Sequence, residues 1–268
     1  MAIHPTAVIH PRAELADDVE VGPFCVIDEH VRVARGCRLI QRVYLTGWTE
    51  IGEGCVIHPG AVVGHEPQDV KYHGERSFVR IGARTILREY VTVHRGTTPE
   101  STTRIGDDCF LLAGVHVAHN CALGNRVTLI NNVLLAGHVE IADQVTMGGG
   151  AVVHQFVRIG TLAMVAGNAR VPMDLVPFAL TDVEGRVAGM NRIGMRRANV
   201  SREDFDEARA VYRNLYSGQV RFSEAVSNVL SRSWQTPSGR MLQEFLRAES
   251  RRGIAGGSRR RGLVGDAS

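Results

Sequence analysis

Aliphatic side chains recur at every sixth residue over most of the first 171 positions. The row runs from Ile3 to Val63, returns between Ile81 and Val93, and continues from Ile105 to Val171. A period of six matches neither the roughly 3.6 residues of a helical turn nor the simple alternation of a strand. It is typical of a solenoid in which each short, flat face supplies one inward aliphatic residue. We therefore predict a mainly β fold, a parallel β-helix with three hexapeptides in each coil, over residues 1–184.

The six-residue pattern is interrupted twice. Asp69, Glu75 and Pro99 are the positions within the row that lack an aliphatic residue. They fall near residues 64–80 and 95–104, and we predict that both segments leave the solenoid as loops. Loops on a rigid scaffold often carry functional residues. The first loop contains Lys71, the only lysine in the chain.

Helical spacings replace the six-residue pattern after residue 184, and we predict a small α-helical domain over residues 185–249. Ser201 and Asp204 resemble a capping box at the start of one helix. A second helix is predicted to start after Ser223, and Pro237 is predicted to open a third. Residues 250–268 are rich in Gly, Ser and Arg, and we predict that this basic tail is disordered.

Charge and cysteine usage narrow the functional classes. The net charge is +3, but five arginines lie in residues 251–268, so the body of the chain is near neutral. Nucleic-acid binding is not expected, because the basic residues of the body do not cluster. No leader or long apolar run is present, which predicts a cytoplasmic protein without a transmembrane segment. All five cysteines share the phase of the small inward residues, so we interpret them as core fillers.

Several histidines are predicted to converge. Val117, Leu135 and Val153 are 18 residues apart, so we expect them to stack in three successive coils at about the 4.8 Å spacing of neighbouring strands. Four histidines lie within three residues of these anchors: His116, His119, His138 and His154. Such a group could bind a metal ion, supply a general base with supporting groups, or form a polar face at a subunit interface. The spacing leaves all three alternatives open.

Five segments outside the repeat pattern are more specific: PQDVKYHGE, VTVHRGT, HVAHNC, LAGHVE and VVHQF. In this order and spacing they resemble the UDP-N-acetylglucosamine O-acyltransferases of lipid A biosynthesis, and the resemblance runs from the N-terminus to at least Arg197. The resemblance implies a left-handed β-helix and a homotrimer. It also implies transfer of a (3-hydroxy)acyl chain from acyl carrier protein to the 3-hydroxyl of UDP-N-acetylglucosamine, without a metal or other cofactor.

The resemblance also implies roles for individual residues. His119 is expected to be the general base, with the N–H of Gly137 as donor to the oxyanion. Further residues are expected to hold the sugar and the pantetheine or acyl end: Gln68, Asp69, Lys71, His94, His116 and His138. The nucleotide side is expected to involve His154, Gln155 and Arg197. This chain departs from many relatives at Asn120, where an acidic residue is common, and at Ala198, where a second arginine is common.

Two other functional classes stay open at this stage. A related acyl-CoA or N-acyltransferase would use the same scaffold, and so would a zinc-dependent hydratase or a noncatalytic trimer. The sequence has no Ser/His/Asp arrangement at a persuasive spacing, and the inward phase of Cys121 argues against a thiol nucleophile. We therefore expect direct acyl transfer without a covalent enzyme intermediate.

Overall fold

The computed structural model describes residues 2–258, which form a three-sided parallel β-helix followed by four helices. Consecutive short strands alternate among three sheets, so each strand pairs with the strand one coil away. Regular coils contain 18 residues, as the pairing of Ala2 with Glu20 shows. The predicted coil of three hexapeptides is confirmed.

Within residues 2–258 the three sheets have eleven, nine and eight strands. The first sheet contains Ala2–Ile3, Glu20–Val21, Arg38–Leu39, Val56–Ile57, Ile86–Leu87, Phe110–Leu111, Thr128–Leu129, Thr146–Met147, Met164–Val165, Ala179–Thr181 and Val187–Met190. The second sheet contains Val8–Ile9, Val26–Ile27, Tyr44–Leu45, Val62–His65, Thr92–His94, His116–Val117, Leu134–Leu135, Val152–Val153 and Arg170–Val171. The third sheet contains Glu14–Leu15, Arg32–Val33, Trp48–Ile51, Phe78–Ile81, Thr102–Ile105, Ala122–Leu123, Glu140–Ile141 and Arg158–Ile159.

The core of the β-helix is the predicted inward row. From Val21 to Val171 every side chain of this row that lies in a strand is at most 5 % exposed. Ile3, in the first described strand, is 44 % exposed. All five cysteines are buried, which confirms their interpretation as core fillers.

The corners of the coils use left-handed backbone conformations. Asn120, His138 and Phe156 have φ values of 60°, 61° and 66°, and they occupy the same corner of successive coils, between the second and third sheets. This conformation costs a non-glycine residue about 1 kcal/mol or more. Backbone hydrogen bonds between coils impose it: the N–H of His138 donates to the carbonyl of His119 at 3.0 Å, and that of Phe156 donates to Gly137 at 3.2 Å. The corner therefore presents a column of three projecting side chains.

Both predicted loops are present, but they are shorter than residues 64–80 and 95–104. Strands Val62–His65 and Phe78–Ile81 enclose the first loop, and strands Thr92–His94 and Thr102–Ile105 enclose the second. The loops are therefore residues 66–77 and 95–101, which we call the first and second loops. The three positions that break the aliphatic row all lie in them.

Up to residue 258, four helices follow the β-helix: α1 (Arg192–Arg197), α2 (Arg202–Tyr216), α3 (Phe222–Leu230) and α4 (Pro237–Arg247). The predicted N-cap of α2 is confirmed, because the hydroxyl of Ser201 accepts a hydrogen bond from the N–H of Asp204 at 3.1 Å. Pro237 opens α4 as predicted, whereas α3 begins slightly before Ser223. The buried hydroxyl of Tyr212 donates to the carbonyl of Pro177 at 2.6 Å and so joins α2 to the end of the β-helix.

Two predicted boundaries were wrong. The first sheet continues past residue 184, because Val187–Met190 pairs antiparallel with Ala179–Thr181; a hairpin has no six-residue period to reveal it. Residues 250–258 of the predicted disordered tail are ordered, since Ile254 and Gly257 form β-bridges with Asp174 and Val187. The rest of that tail, residues 259–268, lies outside the described residues.

Candidate active site

The imidazole of His119 lies at the corner between the second and third sheets, with its side chain 13 % exposed. Its Nδ1 is 3.0 Å from Oδ1 of Asn120. The same oxygen accepts hydrogen bonds from the backbone N–H of Thr97 at 3.1 Å and from its hydroxyl at 3.0 Å. A backbone N–H can only donate, so the atom it meets is the amide oxygen, which can only accept. In the neutral ring Nδ1 therefore carries the proton, and Nε2 is the free base.

Two further groups face this ring. Oδ2 of Asp69 lies 3.9 Å from Nε2, beyond hydrogen-bond range but close enough for a charge interaction. Gly137 lies against the ring, because a Cβ built on Gly137 would be 2.6 Å from Nε2. Within residues 2–258 the N–H of Gly137 donates to no protein acceptor. A buried backbone donor is thus present next to Nε2 of His119.

His94 and His116 form a second group beside His119. Their rings meet edge to face, with centroids 5.0 Å apart, and Nδ1 of His116 is 2.7 Å from the hydroxyl of Thr92. Burial, with His116 nearby, lowers the pKa of His94 to about 4. Burial, with His119 nearby, also lowers the pKa of His116. Both rings are therefore neutral at pH 7.

His94 carries an unsatisfied polar atom. The residue is 6 % exposed, and its Nδ1 has no hydrogen-bond partner within residues 2–258. A buried polar atom without a partner is costly, and in native structures it often has a functional explanation. A substrate group that hydrogen-bonds to Nδ1 would remove this cost.

His138 joins the site through the corner column. Its ring meets that of His119 edge to face at 5.2 Å and stacks on Phe156 at 4.7 Å with an interplanar angle of 23°. Burial lowers the pKa of His138, and the nearby His119 and Arg251 add to the effect. The predicted convergence therefore holds for His116, His119 and His138.

The predicted fourth member, His154, does not join this group. It is exposed, and its Nδ1 faces the carbonyl of the next residue, Gln155, at 3.2 Å. The reason is its place in the repeat: His154 directly follows a strand, whereas Phe156 occupies the corner position that contacts His138. His94 joins the group from an earlier coil, and His65 lies next to it at 6.3 Å between ring centroids.

The remaining predicted site residues lie at the surface. Gln68 and Lys71 flank Asp69 in the first loop and are exposed; the N–H of Lys71 donates to Oδ1 of Asp69 at 3.0 Å. Within residues 2–258 the Lys71 ammonium forms no salt bridge. Gln155 and Arg197, the last residue of α1, are also exposed, and within residues 2–258 neither forms a hydrogen bond or salt bridge with His94, His116, His119 or His138.

Arg95, which was not among the predicted site residues, fastens the first loop. Its buried guanidinium donates to the hydroxyl of Tyr72 at 2.8 and 3.0 Å and to the carbonyl of Gly64 at 2.9 Å. It also pairs with Glu66 at 3.3 Å. The arginine of the VTVHRGT segment was a visible signal, but its partners come from a different loop and could not be read from spacing.

Residues 2–258 contain no group of side chains arranged as a metal site, no ionised thiol at Cys121 and no membrane-spanning helix. Among residues 2–258 no three His, Cys, Asp or Glu side chains are arranged to hold a metal ion. Cys121 is buried, and burial raises its pKa to about 12, so it is a thiol at neutral pH. None of the helices in this range combines the length and apolarity required to cross a bilayer.

Comparison with known proteins identifies the family. A family model described as UDP-N-acetylglucosamine O-acyltransferase, domain 2, matches residues 174–255. An acyl-[acyl-carrier-protein]–UDP-N-acetylglucosamine O-acyltransferase of Thermodesulfovibrio yellowstonii is 40 % identical over 251 residues, which are 93 % of this chain and 97 % of the relative. The protein of the same name from Synechocystis sp. is 44 % identical over 252 residues, 93 % of this chain and 90 % of the relative. The chain belongs to the UDP-N-acetylglucosamine O-acyltransferase family.

The fold of this acyltransferase family member agrees with a solved relative. The crystal structure of the UDP-N-acetylglucosamine acyltransferase of Francisella novicida aligns with a TM-score of 0.92 at 32 % identity, covering 96 % of this chain and 95 % of that chain. The predicted fold class, a left-handed parallel β-helix followed by a small α-helical part, is confirmed. The family model also extends to Ala255, so residues 250–255 of the predicted tail lie within the region that this model matches.

Proposed function

We propose that the chain transfers a (3-hydroxy)acyl chain from acyl carrier protein to the 3-hydroxyl of UDP-N-acetylglucosamine, the first step of lipid A biosynthesis. The names of relatives that are 40 % and 44 % identical over 93 % of the chain support both substrates. The observation that carries the chemistry is the contact between His119 and Asn120. It holds the proton on Nδ1 and leaves Nε2 free to act as a base.

The transfer requires two proton movements, one from the sugar hydroxyl to His119 and one from His119 to the leaving sulfur. Nε2 of His119 takes the proton of the sugar hydroxyl as its oxygen attacks the thioester carbon. The carbonyl oxygen then gains negative charge, and the N–H of Gly137 stabilises it. When the C–S bond breaks, the imidazolium returns the proton to the leaving sulfur. No covalent enzyme intermediate is needed, and the buried thiol of Cys121 is a poor nucleophile.

The surrounding residues bind and orient the substrates. The carboxylate of Asp69, 3.9 Å from Nε2, attracts the positive charge that His119 gains during transfer. We assign Gln68, Asp69, Lys71, His94, His116 and His138 to the sugar and the pantetheine or acyl end. The unpartnered Nδ1 of His94 supports this assignment. We assign His154, Gln155 and Arg197 to the nucleotide side by the resemblance to the family.

We also propose a cytoplasmic homotrimer. Leu134 and Val152 are paired neighbours on the outer face of the second sheet, and both are exposed apolar side chains. Their burial by a second copy of the chain would remove apolar surface from water. Sedimentation velocity of the purified chain tests this state: a trimer is expected, and a monomer at assay concentration would contradict it. Cell fractionation tests the compartment.

A transfer assay tests the proposed function. The purified chain is incubated with UDP-N-acetylglucosamine and a series of 3-hydroxyacyl carrier proteins, and products are identified by mass spectrometry. We expect an ester that mild alkali removes. His119→Ala should lower kcat by about 10²-fold to 10⁴-fold, while the exposed loop variant His73→Ala should keep wild-type turnover. Wild-type turnover by His119→Ala would refute the mechanism.

The transfer assay and a metal analysis of the purified protein separate the alternatives. Turnover only on the 3-amino analogue of the sugar nucleotide would identify an N-acyltransferase. Stoichiometric zinc in the purified protein, with activity abolished by a chelator, would instead favour the metal-dependent alternative.

A further inference from the structure

The last described segment of the chain folds back against the β-helix. The N–H of Asp174 donates to Gly253 at 2.8 Å, and the N–H of Ala255 donates to Asp174 at 2.8 Å. Nε of Arg252 donates to the carbonyl of Pro172 at 3.1 Å. Residues 252–255 are therefore held by hydrogen bonds to Pro172 and Asp174, and Arg251 directly precedes this anchored segment.

Arg251 continues a column of rings that starts at the proposed base. Its guanidinium carbon lies 4.8 Å from the centroid of Phe156. Phe156 stacks on His138 at 4.7 Å, and His138 meets His119 at 5.2 Å. Cation–π contact with Phe156 fixes the guanidinium in place. A cation from the C-terminal end of the chain is thus attached to the active-site corner.

The charge of Arg251 is uncompensated within the described residues. The side chain is exposed, and among residues 2–258 no carboxylate forms a salt bridge with it. Its nearest titratable neighbour in the column, His138, has a lowered pKa and is neutral at pH 7. A guanidinium held by its face keeps N–H donors available, and their planar arrangement matches phosphate oxygens.

We propose that Arg251 binds a phosphate group of a substrate at the active-site corner, an inference that rests on the proposed function. Two phosphates meet that description: the diphosphate of the sugar nucleotide and the phosphodiester of the pantetheine arm. The diphosphate is favoured because of where the guanidinium lies. It lies over the ring of Phe156, and Phe156 directly follows His154 and Gln155, the residues assigned to the nucleotide side. Arg251 is thereby a substrate-binding residue contributed by the C-terminal segment.

Steady-state kinetics of the full chain test this proposal. Arg251→Ala should raise KM for UDP-N-acetylglucosamine about tenfold or more, the effect expected for loss of a charge-assisted hydrogen bond. KM for the acyl donor and the thermal midpoint should stay unchanged, and Arg251→Lys should show a smaller rise because it lacks the planar fork. Arg247→Ala is the matched control: it removes the same charge from an exposed position in the last turn of α4.

A binding measurement without turnover separates this proposal from the proposed function. Isothermal titration with UDP should show weaker binding to Arg251→Ala than to wild type and to Arg247→Ala. A rise in KM for the acyl donor alone would assign Arg251 to the pantetheine phosphate. Unchanged KM values and UDP affinity, in a wild-type enzyme that does transfer acyl groups, would overturn the role of Arg251 only. A wild-type chain that neither transfers acyl groups nor binds UDP would overturn the proposed function and this inference together.

Discussion

The imidazole of His119 lies directly on the α-carbon of Gly137, one coil away, so that a Cβ on Gly137 would be 2.6 Å from Nε2 and 3.0 Å from Nδ1. The ring could not keep this position above any other residue. Since the φ of Gly137 is outside the left-handed region, its backbone conformation would accept a side chain. The requirement for glycine therefore comes from the neighbouring ring.

Gly137→Ala is expected to displace His119, the proposed base, without unfolding the protein. The new methyl group would push the imidazole of His119 away from its position, and kcat should fall by at least about 10²-fold. The control is Gly189→Ala, where an added Cβ would meet no atom within 4 Å. Transfer kinetics and the thermal midpoint are measured for both variants. Near-normal kcat in Gly137→Ala would show that the ring contact is not required.

Asn120→Gly tests how the tautomer of His119 is held. Glycine accepts the φ of 60° at this corner but removes the amide oxygen that meets Nδ1, so kcat should fall by roughly 10²-fold. Asn120→Asp keeps an acceptor at the same place and should keep substantial activity.

The matched control for this pair is Asn132→Gly, at an exposed corner with a φ of 59°. It makes the same change away from the histidines and should have wild-type kcat. If Asn120→Gly behaves like Asn132→Gly, the amide does not orient the base.

His94 is expected to make stability depend on pH. Its pKa falls from the ordinary 6.5 to about 4 in the folded chain, because it is buried and surrounded by His116, His65, His119 and Arg95. Between these values the unfolded chain binds a proton that the folded chain does not, so stability rises with pH in this window. The thermal midpoint should therefore fall as the pH is lowered from 6.5 towards 4.

His94→Gln should flatten this dependence, since glutamine does not titrate. The exposed His73→Gln should leave it unchanged. Thermal midpoints of the three proteins across the pH window provide the comparison. Identical slopes for wild type and His94→Gln would show that His94 does not contribute.

Arg95→Lys is expected to loosen the first loop. A lysine cannot reproduce the bonds that the guanidinium makes to Tyr72 and Gly64. Backbone amides of residues 66–77 should exchange hydrogen faster. Because Asp69 lies on this loop, KM for the substrate that Asp69 binds should also rise. The control is the exposed Arg104→Lys on the third sheet. Unchanged exchange in the loop would contradict the fastening role of Arg95.

Local patterns predicted much of the scaffold. A β-helix repeats one short unit, so each inward residue from Val21 to Val171 could be placed by counting along the chain. The cysteines and the cap at Ser201 followed from equally local rules. The hairpin strand Val187–Met190 escaped, because its pairing follows no repeat.

The identity of the groups that meet at the candidate active-site corner was decided by tertiary structure. The sequence by itself determined the coil, its loops and the family resemblance, because these depend on spacing and on motifs within single segments. It did not determine that Asn120 is held by Thr97, that Arg95 holds Tyr72, or that Arg251 reaches Phe156. Such contacts join segments that lie far apart in the chain, and they form only once the coils have stacked and both loops and the C-terminal segment have packed against them.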